Sequence, residues 1–190
     1  MIVKRQDLPA VLAELGIHGD YGADPHLPGY DETQDLVEVE ANFAGKVQLL
    51  ARDTARKWSG MKLAALADGI DLQLVSGYRS IERQRELIAN KLAAGQCIAD
   101  ILKVMAAPGY SQHHTGKALD LSTSDVDPLS EEFEQTAAFR WLLRHADNHG
   151  FYLPYPRGNR FGFCYEPWHW ASIRLRDVKP AGPVTVPIPR

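Results

Sequence analysis

Two short segments, far apart in the chain, carry a concentrated set of imidazole and carboxylate groups. Residues 111–120 read Ser-Gln-His-His-Thr-Gly-Lys-Ala-Leu-Asp, and residues 166–169 read Glu-Pro-Trp-His. A catalytic zinc site needs three nitrogen or oxygen ligands, an open position for water and a carboxylate beside that water. The two segments contain such a set, with His113, Asp120 and His169 as ligands and Glu166 as the base. A fold that uses them must bring both segments to one cleft.

The first segment indicates how two of these ligands are presented. Residues 118–122 alternate as a strand, so we expect Asp120 to face the cleft while its two leucine neighbours face the core. Gly116 allows the loop that carries His113 to bend tightly back toward that strand. Taken alone, the pair favours a simpler interpretation, in which a turn histidine is hydrogen-bonded to an aspartate at the end of a strand.

The second segment surrounds its histidine with aromatic rings. Pro167 cannot donate to a sheet ladder, so the chain lies at a sheet edge or bends there. Trp168 and Trp170 flank His169 and would limit the access of water and hold the imidazole in one orientation. An aromatic core strand with a buried histidine explains this segment equally well when it is considered by itself.

Hydrophobic spacing predicts the order of the elements. Helical periodicity and caps predict helices over residues 8–15, 42–67, 81–93, 98–105 and 130–150, with Ser80 and Ser130 as N-caps and with Phe43, Val47, Phe133 and Ala137 among the core residues. Alternation and aromatic content predict strands over residues 72–75, 118–122, 151–155 and 161–171. Helices come mainly early and strands mainly late, so we predict a single α+β domain with a small antiparallel sheet flanked by helices.

Composition narrows the function classes. The chain has 190 residues, of which 45% are hydrophobic and 24% charged, and its formal net charge is −3. This charge disfavours a nucleic-acid partner, which normally selects a basic surface. No secretory signal is visible, and no apolar run approaches the roughly 18 residues of a membrane span. Cys97 and Cys164 are expected to be reduced, partly buried thiols and not a disulfide.

Together the two segments resemble the paired signature of the LAS zinc peptidases, Ser-x-His-x-x-Gly-x-Ala-x-Asp followed by Glu-x-x-His. This family (peptidase family M15) includes D-Ala-D-Ala carboxypeptidases of the VanY type, L,D-carboxypeptidases, D,D-dipeptidases and phage endolysins. Residues 76–80 resemble its Ser-Gly-Tyr-Arg-Ser element, and residues 151–156 and 166–170 resemble the VanY branch. The similar region runs from about Met61 to Trp170 and implies a Hedgehog/DD-peptidase-like fold.

The resemblance also implies roles for individual residues. Zinc would be bound by His113, Asp120 and His169, and Glu166 would act as general base and later protonate the leaving amine. Arg79 would stabilise the carbonyl oxyanion or hold substrate; the alternative is a surface ion pair with Glu82 or Glu86. The same resemblance implies that Ser111, Ser80 and Gln84 line the pocket for the terminal carboxylate of the substrate, with Tyr78 as a further substrate-binding residue. His114 falls on a variable position and is expected to be a neighbour of the metal site and not a ligand.

The domain organisation that we predict has three parts, of which only the peptidase core rests on this resemblance. Residues 1–60 form an N-terminal helical and loop segment packed on the core, residues 61–178 form the zinc peptidase core, and residues 179–190, which hold most of the C-terminal prolines, form an extended tail. The oligomeric state remains open. The compartment also remains open, because the chain as it stands predicts a cytoplasmic protein, whereas a mature or otherwise exported form would act in the periplasm or cell wall.

The expected activity is removal of a C-terminal D-alanine from peptidoglycan stem peptides, with D,D-specificity favoured. L,D-carboxypeptidase or endopeptidase activity on the same fold is an alternative. A second alternative is a non-catalytic peptidoglycan-binding domain with structural zinc, which Glu166 disfavours because a structural site needs no base. A third is a Cys/His hydrolase, although neither Cys97 nor Cys164 lies in a recognisable nucleophile motif.

Overall fold

Five helices and five strands make up the part of the chain described by this computed structural model, residues 7–23 and 27–172. The helices are α1 (Leu8–Glu14), α2 (Arg52–Ala67), α3 (Ile81–Ala93), α4 (Ile98–Val104) and α5 (Ala137–His145). The strands are β1 (Leu36–Ala41), β2 (Val47–Ala51), β3 (Gln73–Ser76), β4 (Ala118–Ser122) and β5 (His169–Ala171). None of these helices is long and apolar enough to cross a membrane.

The strands form two small antiparallel sheets, which confirms the predicted α+β class. β1 and β2 make a hairpin, and the other three strands make a sheet in the order β3-β4-β5. β4 is therefore the central strand, and it carries Leu119 and Leu121 into the main core. That core also receives apolar side chains from α2 and α5, whereas α1, α3 and α4 enclose a second cluster around Ile88 and Ile101.

The helix predicted over residues 42–67 is wrong in its first third. α2 begins only at Arg52, and residues 36–51 instead form the β1–β2 hairpin. Asn42 and Gly45 make its turn: the Asn42 side chain accepts hydrogen bonds from two backbone N–H groups, and Gly45 has φ +73°. Phe43 and Val47, predicted to be core residues, are consequently exposed. Strand pairing overrode the helical spacing of these residues.

The helix predicted from Ser130 to Gly150 is broken into three pieces. Ser130 caps a 3-10 helix over Glu131–Gln135, Thr136 then caps α5, and a second 3-10 helix covers Ala146–His149. Because the Thr136 side chain accepts the Phe139 N–H, a new helix begins at that point, and a different set of residues faces the core than a continuous helix would place there. Ala137, predicted to be buried, is therefore exposed, whereas Ala138 and Phe139 enter the core.

The two strands predicted over residues 151–155 and 161–171 are also largely wrong. Only β5 and a single bridge between Tyr152 and Ala171 are present there. Prolines at positions 154, 156 and 167 remove the N–H groups that a continuous ladder would need. The intervening loop is held by Asn159, whose side-chain amide donates to the carbonyl oxygens of Pro156 and Phe163.

The predicted division of the chain at residues 60 and 178 stays a prediction. A boundary at residue 60 would fall inside α2, which packs on the main core along its length through Ala55, Trp58, Met61 and Ala65. The predicted tail over residues 179–190 lies outside the described residues.

Candidate active site

The sheet places two of the predicted ligands side by side. Asp120 on β4 pairs directly with His169 on β5, and on its other side it pairs with Ser76 on β3. His113 comes from a 3-10 helix, Gln112–Thr115, that immediately precedes β4. One ligand atom from each of His113, Asp120 and His169 lies within 4.8 Å of the other two, and all three residues are buried. The structure therefore brings the three together as a candidate metal site.

His113 is held with one ring nitrogen facing Asp120. Its Nδ1 lies 2.6 Å from the carbonyl oxygen of Gly77, so the Nδ1–H donates there. Its Nε2 lies 3.2 Å from Asp120 Oδ2. Gly116, at φ +65°, ends this turn, and a Cβ at that position would lie 2.7 Å from the Ala51 backbone nitrogen. Only glycine fits both requirements, which explains the tight return toward β4.

In His169 the roles of the two ring nitrogens are reversed relative to His113. Its Nδ1 lies 3.0 Å from Asp120 Oδ1, and its Nε2 lies 3.0 Å from the side-chain oxygen of Gln112. Gln112 thus accepts the Nε2–H and leaves Nδ1 as the atom that faces the ligand cluster. The Tyr155 ring packs on the imidazole at a centroid distance of 4.8 Å.

The donor set fits zinc. Two imidazoles and one carboxylate are a ligand combination that zinc uses in proteins. Each imidazole donates the N–H on its other nitrogen to an oxygen atom, and such oxygens typically orient the histidine ligands of zinc. Burial acts to raise the pKa of Asp120, but the positive charge and the hydrogen bonds that His113 and His169 provide when they are protonated outweigh it, so this pKa is well below its usual range. A bound cation would take the place of those protons as the positive partner of the carboxylate. Burial lowers the pKa of His169. Both shifts favour the ligand-competent forms, an ionised carboxylate and a neutral imidazole.

Glu166 lies beside this cluster at the wall of a cleft. Its Oε2 is 3.9 Å from His169 Nδ1, and its side chain is 11% exposed. Burial first, and the Asp120 charge second, raise the pKa of Glu166 to about 8, although Arg79 acts to lower it. A cation held beside Asp120 would offset the repulsion between the two carboxylates. Glu166 is close enough to serve the same small molecule as the metal cluster without belonging to the His-Asp-His set.

Arg79 lines the same cleft and is anchored at both its backbone and its side chain. Its guanidinium donates to Gln84 Oε1 at 3.0 Å and to Ser76 Oγ at 3.3 Å, and one nitrogen lies 3.5 Å from Asp120 Oδ2. Its backbone N–H donates to the His113 carbonyl oxygen. The alternative ion pairs with Glu82 and Glu86 are not formed, because Arg85 and Arg83 occupy those two carboxylates.

The four predicted substrate-binding residues separate into two groups. Ser111 and Gln84 line the cleft together with the metal cluster. Ser80 and Tyr78 line a neighbouring depression beside the β1–β2 hairpin instead. The Ser80 hydroxyl accepts the Arg83 N–H as the cap of α3, so its oxygen is committed to the fold. Gln84 also uses both ends of its amide, since its nitrogen donates to the Ala106 carbonyl oxygen.

Sequence reasoning missed the residues that orient the site. Gln112 and the Gly77 carbonyl oxygen hold the two imidazoles, and their position next to the recognised motifs was the only signal that could have found them. A Cβ at Gly77 would lie 2.5 Å from the Leu49 carbonyl oxygen, so a larger residue would displace this segment. His114 is a neighbour of the metal site, as expected: its Nδ1–H donates to the Arg79 carbonyl oxygen at 2.6 Å, and its Nε2 accepts the Gly109 N–H at 3.1 Å.

The cleft has a volume of about 340 Å³, and aromatic side chains wall one side of it. Tyr155, Phe163 and Trp168 belong to the cleft lining, and the Tyr155 ring packs against the rings of Phe163 and His169. Cys164 also lines the cleft, and both cysteines are exposed free thiols, so the expectation of partly buried thiols is wrong. Among the described residues, neither thiol has an imidazole as hydrogen-bond partner, and Cys97 donates to Asp100.

Gln112→Leu is expected to weaken zinc binding by about 10- to 100-fold while the fold is kept, because loss of an orienting hydrogen bond typically has an effect of this size. Competition with a chromophoric chelator measures the affinity. Tyr30→Phe is the matched control, since the Tyr30 hydroxyl accepts a 3.3 Å hydrogen bond from the other end of the Gln112 amide. Equal zinc affinity in Gln112→Leu and wild type would contradict the orienting role.

Ionisation of Tyr30 should lower the stability of the folded protein at alkaline pH. Burial raises the pKa of Tyr30 to about 12 from 10.0, although the Gln112 hydrogen bond acts to lower it. The folded state thus favours the neutral phenol, and this contribution is complete below pH 10 and is lost as pH rises toward 12. We expect the free-energy advantage of wild type over Tyr30→Phe to shrink by about 2 kcal/mol over this range, as denaturant unfolding would measure. A difference in the free energy of unfolding between the two proteins that stays constant over this pH range would contradict the raised pKa of Tyr30.

Comparison with known proteins identifies the family. Residues 47–173 match the family model described as VanY, D-alanyl-D-alanine carboxypeptidase. The chain belongs to this family. Membership of the VanY family confirms the resemblance found in residues 76–80, 111–120 and 166–170, and the match begins at β2, so it includes all of α2.

Three relatives illustrate the range of the VanY family. YodJ of Bacillus subtilis (strain 168), named as a predicted carboxypeptidase, is 37% identical over 161 residues, which cover 80% of this chain and 58% of YodJ. The LdcB LD-carboxypeptidase structure has 35% identity and a TM-score of 0.67, covering 76% of this chain and 70% of LdcB. A VanY D,D-pentapeptidase mutant structure in complex with Zn(II) has 26% identity and a TM-score of 0.58, covering 79% of this chain and 88% of that one.

Proposed function

We propose that this protein is a zinc-dependent carboxypeptidase that removes a C-terminal D-alanine from peptidoglycan stem peptides. One observation carries the proposal: the buried His113, Asp120 and His169 share a cleft with Glu166 and Arg79. A structural zinc site fills its coordination with protein ligands and needs no base, so this arrangement supports catalysis over a purely structural metal. The solved VanY relative with Zn(II) supports the choice of metal.

The residues of the cleft divide the chemistry between them. When bound, zinc would lower the pKa of a water molecule and polarise a carbonyl group. Glu166 takes a proton from the attacking water and delivers it to the leaving amine as the C–N bond breaks. Arg79 donates to the carbonyl oxygen as negative charge develops there. The aromatic wall of Tyr155, Phe163 and Trp168 restricts bulk water around these groups.

The scissile bond has two candidates. The family match, to D-alanyl-D-alanine carboxypeptidases, supports cleavage between two D-alanines. The likeness to the LdcB LD-carboxypeptidase, at 35% identity, supports cleavage between an L-configured centre and D-alanine. Both reactions release one D-alanine and use the same cluster of residues, so the proposed chemistry is common to them.

Mass spectrometry of muropeptides after incubation with the zinc-loaded protein tests the proposal. D,D-activity would convert pentapeptides to tetrapeptides, and L,D-activity would convert tetrapeptides to tripeptides. Glu166→Ala serves as the control for contaminating peptidases. Muropeptides that keep every alanine, or that are cut within the peptide cross-links alone, would contradict the carboxypeptidase assignment.

Arg79 is expected to act through the substrate and not through the fold. Arg79→Ala should lose about 3 kcal/mol of transition-state stabilisation, the typical effect of removing one oxyanion donor. Arg79→Lys should restore little activity, because an ammonium lacks the planar fork that holds Gln84 and Ser76. Steady-state kinetics, melting temperature and zinc content are measured for both variants. A large drop in melting temperature with unchanged kinetics at low temperature would show a purely structural role.

A further inference from the structure

The cleft contains a second cation that the catalytic scheme does not use. Arg79 and Lys91 both line it. The Arg79 guanidinium is already hydrogen-bonded or ion-paired to three side chains. Lys91, in the last turn of α3, is half-buried, and no residue of the described ranges forms a hydrogen bond or ion pair with its ammonium group. Lys91 therefore presents to the cleft a cation that no described residue neutralises, and an anion in the cleft could pair with it.

Most other polar side chains of the cleft lining already have partners among the described residues. Both ends of the Gln84 amide are occupied, by Arg79 and by the Ala106 carbonyl oxygen. The Ser80 hydroxyl is used as a helix cap and lies outside the cleft lining. Ser111 Oγ accepts the His113 N–H at 3.4 Å, which leaves only its hydroxyl proton to donate. Of the described residues that line the cleft, Lys91 is therefore the one cation with all its donors available.

The surroundings of Lys91 suit a small residue that ends in a carboxylate. Val104, Met105 and Ala106 contribute an apolar wall to the same cleft. Lys91 lies seven positions after Gln84 on α3, a rise of about 10 Å, and helical side chains lean back toward the N-terminus. Seven residues are close to two helical turns, so Lys91 and Gln84 lie on the same face of α3, and both line the cleft that holds the candidate metal cluster.

We propose that Lys91 binds a carboxylate of the peptide substrate, with the methyl group of a terminal alanine against the apolar wall. This inference rests on the proposed carboxypeptidase function. The carboxylate can belong to the C-terminus of the peptide or to an acidic side chain within it, and the two sources share the same chemistry. The alternative is that Lys91 only complements the C-terminal end of the α3 dipole.

Peptide affinity in a background that cannot cleave distinguishes these roles. Zinc-loaded Glu166→Ala, with and without Lys91→Met, is titrated calorimetrically with a stem pentapeptide as the free acid and as the C-terminal amide. We expect Lys91→Met to weaken binding of the acid by about 10- to 100-fold, the range for a hydrogen bond to a charged group. If the penalty disappears with the amide, the terminal carboxylate is the ligand; if it persists, a side-chain carboxylate is.

Matched variants separate binding from stability. Lys91→Arg should recover most of the affinity, and Lys103→Met, whose lysine is ion-paired to Asp100 outside the cleft lining, should bind as the unmodified background does. In the active enzyme, Lys91→Met should raise KM and leave kcat within a few-fold. Unchanged affinity for both peptides would overturn the proposal even if D-alanine release by wild type is intact. Failure of wild type to release D-alanine would instead overturn the function on which it rests.

Discussion

His113→Ala, Asp120→Ala and His169→Ala are each expected to lose zinc and with it all measurable turnover. Each of these side chains supplies one of three ligand atoms that lie within 4.8 Å of one another. Removing one leaves two ligands, too few for a catalytic zinc site. The zinc content of dialysed protein, measured by atomic emission, should fall from about one per chain to near zero.

The matched control for these variants is His18→Ala, because His18 is exposed and, among the described residues, forms an ion pair only with Asp20. Its zinc content should equal that of wild type. Circular dichroism should show the same secondary structure in all four proteins when zinc is present in excess. Stoichiometric zinc in dialysed His169→Ala would contradict the ligand assignment.

Glu166→Ala is expected to keep its zinc and its fold but to lose turnover by about 10²-fold or more, the typical effect of losing a general base. Glu166 lies 3.9 Å from His169 Nδ1 and is not needed to complete the three-ligand cluster, so metal content and turnover should separate in this variant. Turnover with saturating peptide and zinc content on the same sample are the two measurements.

Glu86→Ala is the control for that experiment, because Glu86 is an exposed carboxylate on α3 whose ion pair within the described part of the chain is with Arg83. It should retain wild-type turnover. Near-normal turnover in Glu166→Ala would remove Glu166 from the mechanism. Turnover lost together with zinc would assign Glu166 to metal binding and would leave the base unidentified.

Capping residues and the spacing of apolar residues correctly predicted those helices and strands whose limits are set by neighbouring residues in the sequence. The Ser80 cap and helix α3 after it, and the alternation of β4, are as predicted. The β1–β2 hairpin was missed because Phe43, Val47 and Leu50 fit helical spacing as well as strand pairing. Only the partner strand and the turn at Asn42 decide between the two.

The sequence predicted which residues would come together in the candidate site, but not the groups that orient them. Spacing and residue type indicated the ligand set and the base, because metal chemistry restricts the residues that can serve. The orienting groups could not be derived in the same way, since a backbone carbonyl such as that of Gly77 has no signature in the sequence. Gln112 is an ordinary polar residue until β5 brings His169 within 3.0 Å of it.

Metal reconstitution is the most direct test of whether release of D-alanine depends on zinc bound at this cluster. Protein stripped of metal by a chelator and dialysed is titrated with zinc while D-alanine release from stem pentapeptides and tetrapeptides is followed. We expect no D-alanine release without metal, a linear rise in release up to about one zinc per chain, and no rise in His169→Ala at any zinc-to-protein ratio. Full D-alanine release by the metal-free protein would contradict this dependence on zinc.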